Sequence, residues 1–467
     1  MNDIATVDLP LEALCAAREA DRFDLNTRYG NAMMVRVLRT IGYDVGFVRG
    51  DGAYLYDRAG TRYLDLLSGW GVFGIGRNHP HLRKVLKGVL DSRLANLVQM
   101  DVSLLAGLLA ERLIAHVPYL EKVFFASSGS EAVETAIKFA RRATGRPGIV
   151  HCAHSFHGLT YGALSMTGED IFRDGFTPLL PGTHEIAFDN LAALEEVLAS
   201  RRIAAFILEP VQGKTVDVAS DLYLKEALRL CRKYGTLLIA DEVQTGLGRT
   251  GRFLAIEHSG IEPDMVLLSK TLSGGYVPVS AVLMRKRIFD KVFDSMDRAV
   301  IHGSTFGAND LAMAAGIATL EVMESEGIVE NAARQGARLK AALEAMAKDF
   351  ELVCDVRGRG LMLGVTFGPP RSLKLKAAWH ALETMNKGLF CQLITLPLFK
   401  EHKILVQVAG HGSHTVKLLP TLVLSDEDCA WIETAFQTVI KDAHRVPGAV
   451  WSLGKTLADQ ALKARAA

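Results

Sequence analysis

Residues 236–251, "TLLIADEVQTGLGRTG", contain the pattern that decides the fold. A largely apolar run, typical of a buried strand, leads directly into Asp241 and Glu242, and a glycine-rich loop follows. An unpaired buried carboxylate is costly, so a core strand that ends in one requires a cationic partner. The stretch therefore predicts a ligand site at the carboxyl end of this strand, where open α/β sheets bind their ligands.

Short apolar runs alternate with amphipathic segments on both sides of this strand. Apolar residues recur with helical spacing over 130–142 and 222–235. Strand–helix alternation with nearly continuous apolar strands predicts an α/β fold whose mostly parallel sheet is covered on both faces. The predicted strands are 122–126, 148–152, 204–210, 236–242, 264–270 and 280–285.

The two ends of the chain have a different pattern. The first 70 residues combine a helical start with a strand–turn–strand signal centred on Ala59-Gly60, and the chain from about Gly316 is helical and then strand-rich. This pattern predicts a smaller α+β domain built from both ends. The expected divisions are an N-terminal segment 1–70 contributing to the small domain, a large domain 71–320, a C-terminal small domain 321–446 and an amphipathic tail helix 447–467.

Composition bounds the class of protein. The chain has 467 residues, 49% of them hydrophobic, and a net charge of +1, which argues against a nucleic-acid binder that relies on a strongly basic surface. Its six cysteines are scattered without metal-ligand spacing, which favours a reduced cytoplasmic protein without a metal. No apolar run approaches the roughly 18–20 residues that cross a bilayer, and the N-terminus lacks the basic region of a signal peptide.

Three ionisable residues stand at the ends of predicted strands, namely Glu209, Asp241 and Lys270. Parallel strands would bring them to one edge of the sheet. Small residues follow Lys270 and leave room for a ligand, and a desolvated lysine forms Schiff bases readily. An imine-forming lysine with an acidic partner for a pyridinium nitrogen indicates pyridoxal 5'-phosphate (PLP), with Asp241 as that partner.

The phosphate of such a cofactor needs an anion site. Ser128, Gly129 and Ser130 lie between a predicted strand and a predicted helix, where backbone N–H groups and the helix dipole attract anions. The segment "HSFHG" (154–158) follows the next strand and offers Phe156, whose ring could stack on a planar cofactor. Serine-rich helix starts are common, so this stretch is weak support by itself.

Nearly the whole chain resembles the class III, or omega, family of PLP-dependent aminotransferases, the ornithine, acetylornithine and 4-aminobutyrate aminotransferase type. The motifs "SSGSEAVETAIKFAR", "HSFHGLT", "LEPVQG", "IADEVQTGLGRTG", "LLSKTLSGG" and "HGSTFGAND" occur in the family's order and spacing. The resemblance implies fold type I, with a mostly parallel seven-stranded sheet in a large PLP-binding domain and a smaller α+β domain. It also implies a homodimer with shared active sites, and amino-group transfer.

The resemblance assigns a role to each matching residue. Lys270 would hold PLP as a Schiff base and move the proton, and Asp241 would pair with the pyridine nitrogen. The other expected site residues follow the same motifs: Ser128, Gly129 and Ser130 at the phosphate, Phe156 on the ring face, Gln244 near the phenolic oxygen, Trp70 on the substrate side, and Thr305 at the phosphate of the partner subunit's cofactor. His157 and Glu209 are also expected among the cofactor-binding residues, with Glu209 lining the substrate side and His157 forming a hydrogen bond.

Two departures from the family concern the substrate. The family usually continues "EPVQG" with Glu-Gly-Gly, where this chain has "KTVDVAS". Many members carry an arginine that binds the substrate α-carboxylate at the position of Lys417, and lysine lacks the bidentate fork. Lys417 is expected either to contact a substrate carboxylate or to be a solvated charge beside a strand, and a second arginine could bind the carboxylate instead.

Several alternatives remain open at this stage. The expected reaction joins an amino donor, such as glutamate, alanine or an ω-amine, with an aldehyde or keto acid. Relatives on this scaffold also perform decarboxylation or mutase chemistry, and a catalytically silent binding protein is a further alternative. The tail, with Trp451, Leu453, Leu457 and Leu462 on one face, could instead place a lipid-aldehyde aminotransferase at a membrane surface.

Individual residues have plainer interpretations as well. Phe156 and Trp70 could be core residues, and Glu242 is interpreted as structural, with an ion pair as one option. His154 and His302 are expected to form hydrogen bonds and not to bind metal.

Overall fold

The computed structural model describes residues 10–98, 100–385, 387–410, 412–445, 448 and 451. Its strands are β1 (Phe47–Asp51), β2 (Tyr54–Asp57), β3 (Arg62–Asp65), β4 (Lys122–Ala126), β5 (Gly148–Cys152), β6 (Thr183–Ile186), β7 (Ile203–Leu208), β8 (Leu237–Asp241), β9 (Met265–Leu268), β10 (Ser280–Met284), β11 (Val353–Arg359), β12 (Met362–Phe367), β13 (Ile404–Leu405), β14 (Gln407–Val408) and β15 (Thr415–Leu418).

Helices connect most of these strands. They are α1 (Leu11–Arg18), α2 (Arg22–Tyr29), α3 (Ala32–Ile41), the short turn α4 (Ser68–Gly71), α5 (Pro80–Asp91), α6 (Leu104–His116), α7 (Gly129–Thr144), α8 (Tyr161–Leu164), α9 (Asp170–Arg173), α10 (Leu191–Leu198), α11 (Asp221–Tyr234), α12 (Lys286–Val292), α13 (Asp310–Ser325), α14 (Ile328–Asp349), α15 (Leu373–Met385), α16 (Leu389–Lys400) and α17 (Asp426–Ala443).

The central sheet has seven strands in the order β4-β10-β9-β8-β7-β5-β6. Strand β10 runs antiparallel to both of its neighbours, β4 and β9. The remaining neighbours, β9-β8, β8-β7, β7-β5 and β5-β6, pair in parallel. The mostly parallel α/β fold predicted from the sequence is therefore confirmed. Strand β6 was not among the predicted strands, because "THEI" is short, has three polar residues out of four and contains no apolar run.

Local sequence explains why the helices begin and end where they do. In α7 the Ser128 side chain accepts a hydrogen bond from the Glu131 N–H, and Gly145 ends the helix in the left-handed conformation. One face of α7, with Ala132, Val133 and Phe139, is fully buried. Burying a side chain such as Val133 or Phe139 contributes about 1.5–3 kcal/mol, so this face fixes α7 against the sheet.

The predicted strand ends need correction at two of the three ionisable residues. Asp241 is the last residue of β8, but β7 ends at Leu208 and β9 ends at Leu268. Lys270 instead begins a short 3-10 turn with a φ of +43°. The chain leaves the sheet here because the Ser269 carbonyl accepts the Leu272 N–H within this turn.

Two four-stranded sheets flank the central sheet. One has the order β1-β2-β3-β13, in which β13 from the C-terminal part of the chain pairs in parallel with β3 from the N-terminal part. The other is antiparallel, with the order β11-β12-β15-β14. The predicted tail helix 447–467 lies outside the described residues, except for Gly448 and Trp451. None of the described helices is long and apolar enough to span a membrane.

Candidate active site

Glu209, Asp241 and Lys270 lie at one edge of the central sheet. Their strands β7, β8 and β9 are neighbours in the parallel part of the sheet, with Asp241 in register with Leu267. Glu209 and Asp241 are buried, and Lys270 is half-buried. The structure thus brings together the three ionisable residues that the sequence predicted at one edge.

Asp241 is held in place by two donors. Its Oδ2 lies 2.7 Å from the His157 Nδ1, and its Oδ1 accepts the Val243 N–H at 3.1 Å. Burial lowers the pKa of His157, but the hydrogen bond and the charge of Asp241 outweigh this effect, so the net pKa is raised. The two hydrogen bonds fix the orientation of the Asp241 carboxylate, which can therefore pair with a cation at the same edge.

Lys270 has the electrostatics of a reactive amine. Burial lowers its pKa from 10.5 to about 8, although the charges of Asp241 and Glu209 act in the opposite direction. An amine with a pKa near 8 is partly neutral at physiological pH, and only the neutral form attacks a carbonyl carbon. The site therefore combines a nucleophilic lysine with a fixed carboxylate.

Glu209 holds two loops of the site. Its Oε2 accepts the Phe156 N–H at 2.9 Å, and its Oε1 accepts the Gly213 N–H at 2.8 Å. Burial raises the pKa of its carboxyl. Phe156 is half-buried and meets Phe172 edge-to-face, with ring centroids 5.5 Å apart, so it is not a core residue.

Gln244 links Trp70 to Lys417. Its Nε2 donates to the Trp70 carbonyl at 3.0 Å, and its Oε1 accepts from the Lys417 Nζ at 2.7 Å. Lys417 also donates to the Gly213 carbonyl at 2.6 Å. Trp70 is 63% exposed, which rules out the interpretation that it is a core residue.

Lys417 is buried, with 2% of its surface exposed, so the expectation of a solvated charge is wrong. It lies inside the antiparallel sheet on β15, and burial together with the nearby positive charge of Lys270 lowers its pKa well below the usual value. The sequence could not show this, because Gly213 and Gln244, its two hydrogen-bond acceptors, come from distant segments.

The predicted phosphate site has tight backbone packing. Ser128 caps α7, and Gly129 packs so closely that a Cβ there would lie 3.0 Å from a methyl carbon of Val243. A Cβ on Gly158 would collide with the side chain of Ser130. The N-terminal N–H groups of α7 thus lie beside the segments that follow Asp241 and precede Lys270, since Gly129 also approaches Ser269.

Thr305 lies in a loop that approaches the segment before α7. It is exposed in the loop before α13, next to Ser304, whose Oγ lies 3.4 Å from the Ser127 Oγ. Of the expected hydrogen-bonding histidines, His302 lies between Thr135 and Lys138, whereas His154 is exposed.

Glu242 is buried and held by neutral donors in the described part of the chain. The Thr245 hydroxyl donates to it, and the Ile256 N–H donates at 2.9 Å. The ion pair considered from the sequence is therefore not found there. Burial raises the pKa of its carboxyl to about 7.

Lys214 is a site residue that the sequence interpretation did not name individually. It stands where the family continues with glutamate, and its Nζ lies 5.1 Å from the Phe156 ring centroid and 4.4 Å from that of Phe172. Burial lowers its pKa. In the sequence, only the difference from the family at "KTVDVAS" pointed to this loop. It could not show that Lys214 contacts Phe156 and Phe172.

Comparison with known proteins identifies the family. The sequence profile of the family described as "Aminotransferase class-III" matches residues 41–440. The chain is a class III aminotransferase. It is 37% identical over 391 residues to the acetylornithine aminotransferase of Bacillus cereus, covering 82% of this chain and 92% of that protein.

Two further relatives extend this comparison. The aminotransferase is 35% identical over 456 residues to the aminotransferase PigE of a Serratia species, across 91% of this chain, and it spans about half (53%) of PigE's length. A solved ornithine aminotransferase of Toxoplasma gondii with PLP at partial occupancy superposes with a TM-score of 0.81 at 29% identity, covering 96% of this chain and 99% of that one. The aminotransferase is PLP-dependent and has the fold type I architecture.

The residues at this edge of the sheet fit the chemistry of PLP. An aldehyde needs an amine with a lowered pKa, a pyridinium nitrogen needs a fixed carboxylate, and a phosphate needs backbone N–H groups at a helix start. Lys270, Asp241 and the N-terminus of α7 offer these three groups.

The rate of PLP uptake by the cofactor-free protein should depend on the protonation of Lys270. Because only the neutral amine reacts, we expect the rate to rise with pH and to level off above about 8. Mixing experiments at a series of pH values, followed by absorbance, measure this profile. In Asp241→Asn the plateau should begin at lower pH, because the charge of Asp241 raises the pKa of Lys270. A wild-type rate still climbing toward pH 10.5, the ordinary lysine value, would contradict this electrostatic account.

Proposed function

We propose that this aminotransferase moves an amino group from glutamate, alanine or an ω-amine to an aldehyde or a keto acid, with Lys270 and Asp241 as its catalytic residues. The observation that carries the assignment is the Lys270 amine, whose pKa is lowered to about 8 at the same sheet edge as Asp241. When bound, PLP supplies an electron sink for the bond that breaks at the substrate carbon.

Lys270 has two tasks in this proposal. Its amine would hold the cofactor covalently, and the same amine would move the proton at the substrate carbon. A general base works best when its pKa lies near the operating pH, and a value of about 8 meets this condition. Its position at the start of the turn after β9 keeps it at the strand ends, where the substrate enters.

Asp241 and His157 act together. Asp241 keeps the pyridine nitrogen protonated, and His157 fixes the orientation of the Asp241 carboxylate through the 2.7 Å contact. Both side chains are buried, where fixed charges act more strongly than in water. Glu209 positions the 156 and 213 loops, because its two oxygens already accept backbone N–H groups.

The other proposed cofactor contacts are assigned from where each residue lies relative to Lys270 and Asp241. Ser128, Gly129 and Ser130 bind the phosphate at the start of α7, and Phe156 covers one face of the ring. Gln244 lies near the phenolic oxygen, and Trp70, whose carbonyl it binds, borders the substrate.

Lys417 positions Gln244 in this account and does not bind a substrate carboxylate. Its ammonium or amine already donates to Gly213 and Gln244, and its surroundings lower its pKa well below the usual value. A buried lysine that is already engaged by two carbonyl oxygens, and whose pKa is lowered, is a poor partner for an anion.

Lys417→Met should lower kcat/KM equally for alanine and for amine donors without a carboxylate. The expected loss is about tenfold, because the Gly213 carbonyl and the Gln244 side chain both lose a donor and Gln244 is no longer held in place. Steady-state kinetics with both donor types measure it. Lys417→Arg is the matched variant, because its fork can reach an anion. A loss confined to amino-acid donors in Lys417→Met would show instead that Lys417 binds the carboxylate.

We also propose a homodimer, in which Thr305 reaches the phosphate of the partner subunit's cofactor. Segments 96–104 and 296–310 touch through the hydrogen bonds from Ser103 to Asp310 and from the Asp310 N–H to Asn96. Both segments expose large apolar side chains, a typical mark of an interface. These are Val98, Met100, Val102, Leu104, Met296, Val300, Ile301 and Phe306. Thr305 lies within this surface, which supports a site shared between subunits.

The domain division and the location belong to the same proposal. The large PLP-binding domain spans 71–320, and the small domain joins 1–70 with 321–446. The shared sheet of β3 and β13 supports that assembly. The six cysteines are free, which is consistent with a reducing cytoplasm.

Spectroscopy of the purified protein tests the proposed reaction. The visible band of the lysine-bound cofactor should disappear on addition of a true amino donor and return on addition of a keto acid or aldehyde acceptor. A donor that bleaches the band with release of CO₂, or product formed without an acceptor, would point to decarboxylation or mutase chemistry instead.

A further inference from the structure

An apolar cavity of about 380 Å³ lies beside the proposed active site. It is lined by residues of α3, of the turn α4, of α16 and of the β13–β14 segment. We call it the α3 cavity. Its apolar wall is formed by Met34, Leu38, Ile41, Leu405, Val406 and Val408. The volume falls at the lower end of the range for small-molecule pockets.

The charged residues of the α3 cavity neutralise one another. Asp65 and Arg77 form an ion pair with an N–O distance of 2.7 Å. The second oxygen of Asp65 accepts the backbone N–H groups of Leu67 and Ser68, each at 2.9 Å. Arg77 also stacks on the Phe73 ring. A charged ligand would have to break these contacts, so the cavity favours an apolar occupant.

The polar groups of the α3 cavity are engaged as well. The Tyr43 hydroxyl lies 3.2 Å from both the Thr395 and the Val406 carbonyl oxygens. The Thr395 hydroxyl donates to the Gln392 Oε1, and the Trp70 Nε1 donates to the Gln407 Oε1 at 3.2 Å. The two hydroxyls, the indole N–H and the two glutamine side-chain oxygens of the cavity are therefore already engaged within the protein.

Trp70 connects the α3 cavity to the site. Its side chain lines the cavity, while its carbonyl accepts from Gln244, which also binds Lys417. Trp70 has a φ of +59°, an unfavourable conformation for a non-glycine residue, and it lies between Gly69 and Gly71, which also have positive φ. The turn thus holds the indole at the boundary between the cavity and the sheet edge.

We propose that the α3 cavity receives the apolar chain of the amine or aldehyde substrate. This inference rests on the proposed function, because it assumes that the reacting carbon lies at Lys270. The preferred substrate is then a primary amine, or the corresponding aldehyde, with an unbranched apolar chain long enough to pass Trp70. Neither a second charge nor a terminal carboxylate is recognised at the far end of that chain.

A series of amine donors from propylamine to octylamine tests this proposal with the full-length, PLP-loaded protein. Each methylene that enters the cavity should raise kcat/KM about threefold to fourfold, until the cavity is full. Leu38→Trp, which fills the cavity, should abolish this gain along the series. Leu38→Ala, which enlarges the cavity, should move the best donor to a longer chain.

Val37→Trp is the matched control. It introduces the same side chain one position earlier on α3, where Val37 is exposed and does not line the cavity. It should keep the chain-length gain. A flat series in the wild-type protein, or equal effects of the tryptophan at positions 37 and 38, would overturn the proposal.

Binding of 1-octanol, measured by calorimetry, separates this inference from the proposed function. We expect octanol to bind the wild-type protein and not Leu38→Trp. If octanol binds in this way but no amine or amino acid bleaches the cofactor, the proposed reaction fails while the apolar site stands. If donors bleach the cofactor but octanol binds equally to both proteins or to neither, the α3 cavity is not a chain-binding site.

Discussion

Lys270→Ala is expected to abolish covalent PLP binding and to lower transamination by at least about 10³-fold, since it removes both the nucleophile and the proton carrier. The visible band of the lysine-bound cofactor should be lost, although PLP can still bind through its phosphate. Absorbance and steady-state kinetics on the same preparation measure both effects.

Lys225→Ala serves as the control for this substitution. Lys225 is an exposed lysine on α11, away from the strand ends, and its loss should change neither the spectrum nor the rate. An active Lys270→Ala protein with an unchanged spectrum would show that another amine carries the cofactor.

Asp241→Ala is expected to lower kcat by about 10²–10³-fold while PLP remains attached to Lys270. The reason is the loss of the buried charge that keeps the pyridine nitrogen protonated. The pKa of His157 should fall at the same time, because its hydrogen bond and charge interaction with Asp241 hold it up against burial. Kinetics with a confirmed donor give the first effect, and NMR titration of the His157 ring gives the second.

Glu242→Gln provides the neighbouring comparison. Glu242 is equally buried but accepts from Thr245 and Ile256, so its substitution should affect thermal stability more than kcat. A fall in kcat as large as that of Asp241→Ala would argue that burial of negative charge in general, and not the position of Asp241, sustains the reaction.

Much of the fold and of the site was predictable from the sequence because the information is local. Apolar runs and helical spacing define β5, β7, β8, α7 and α11, and parallel strands bring their carboxyl ends to one edge. Asp241 and Lys270 could be placed at that edge because each ends an apolar run in the sequence, although Lys270 lies in the turn just after β9. The motifs then supplied roles that spacing could not.

The contacts between distant segments were not predictable. The burial of Lys417 depends on Gly213 and Gln244, which lie 204 and 173 residues away in the sequence. The pairing of His157 with Asp241 spans 84 residues. The α3 cavity requires an N-terminal helix to meet strands from the C-terminal part. No local pattern reports such proximity, and a single sequence contains no other signal for it.

The most direct test of the central claim is to locate the lysine that carries PLP. Reduction of the PLP-loaded protein with borohydride fixes the cofactor on its lysine, and peptide mass spectrometry then identifies the modified residue. The account predicts modification of Lys270, and little modification if a true amino donor is added before reduction. Modification of Lys214, Lys417 or another lysine in place of Lys270 would contradict it.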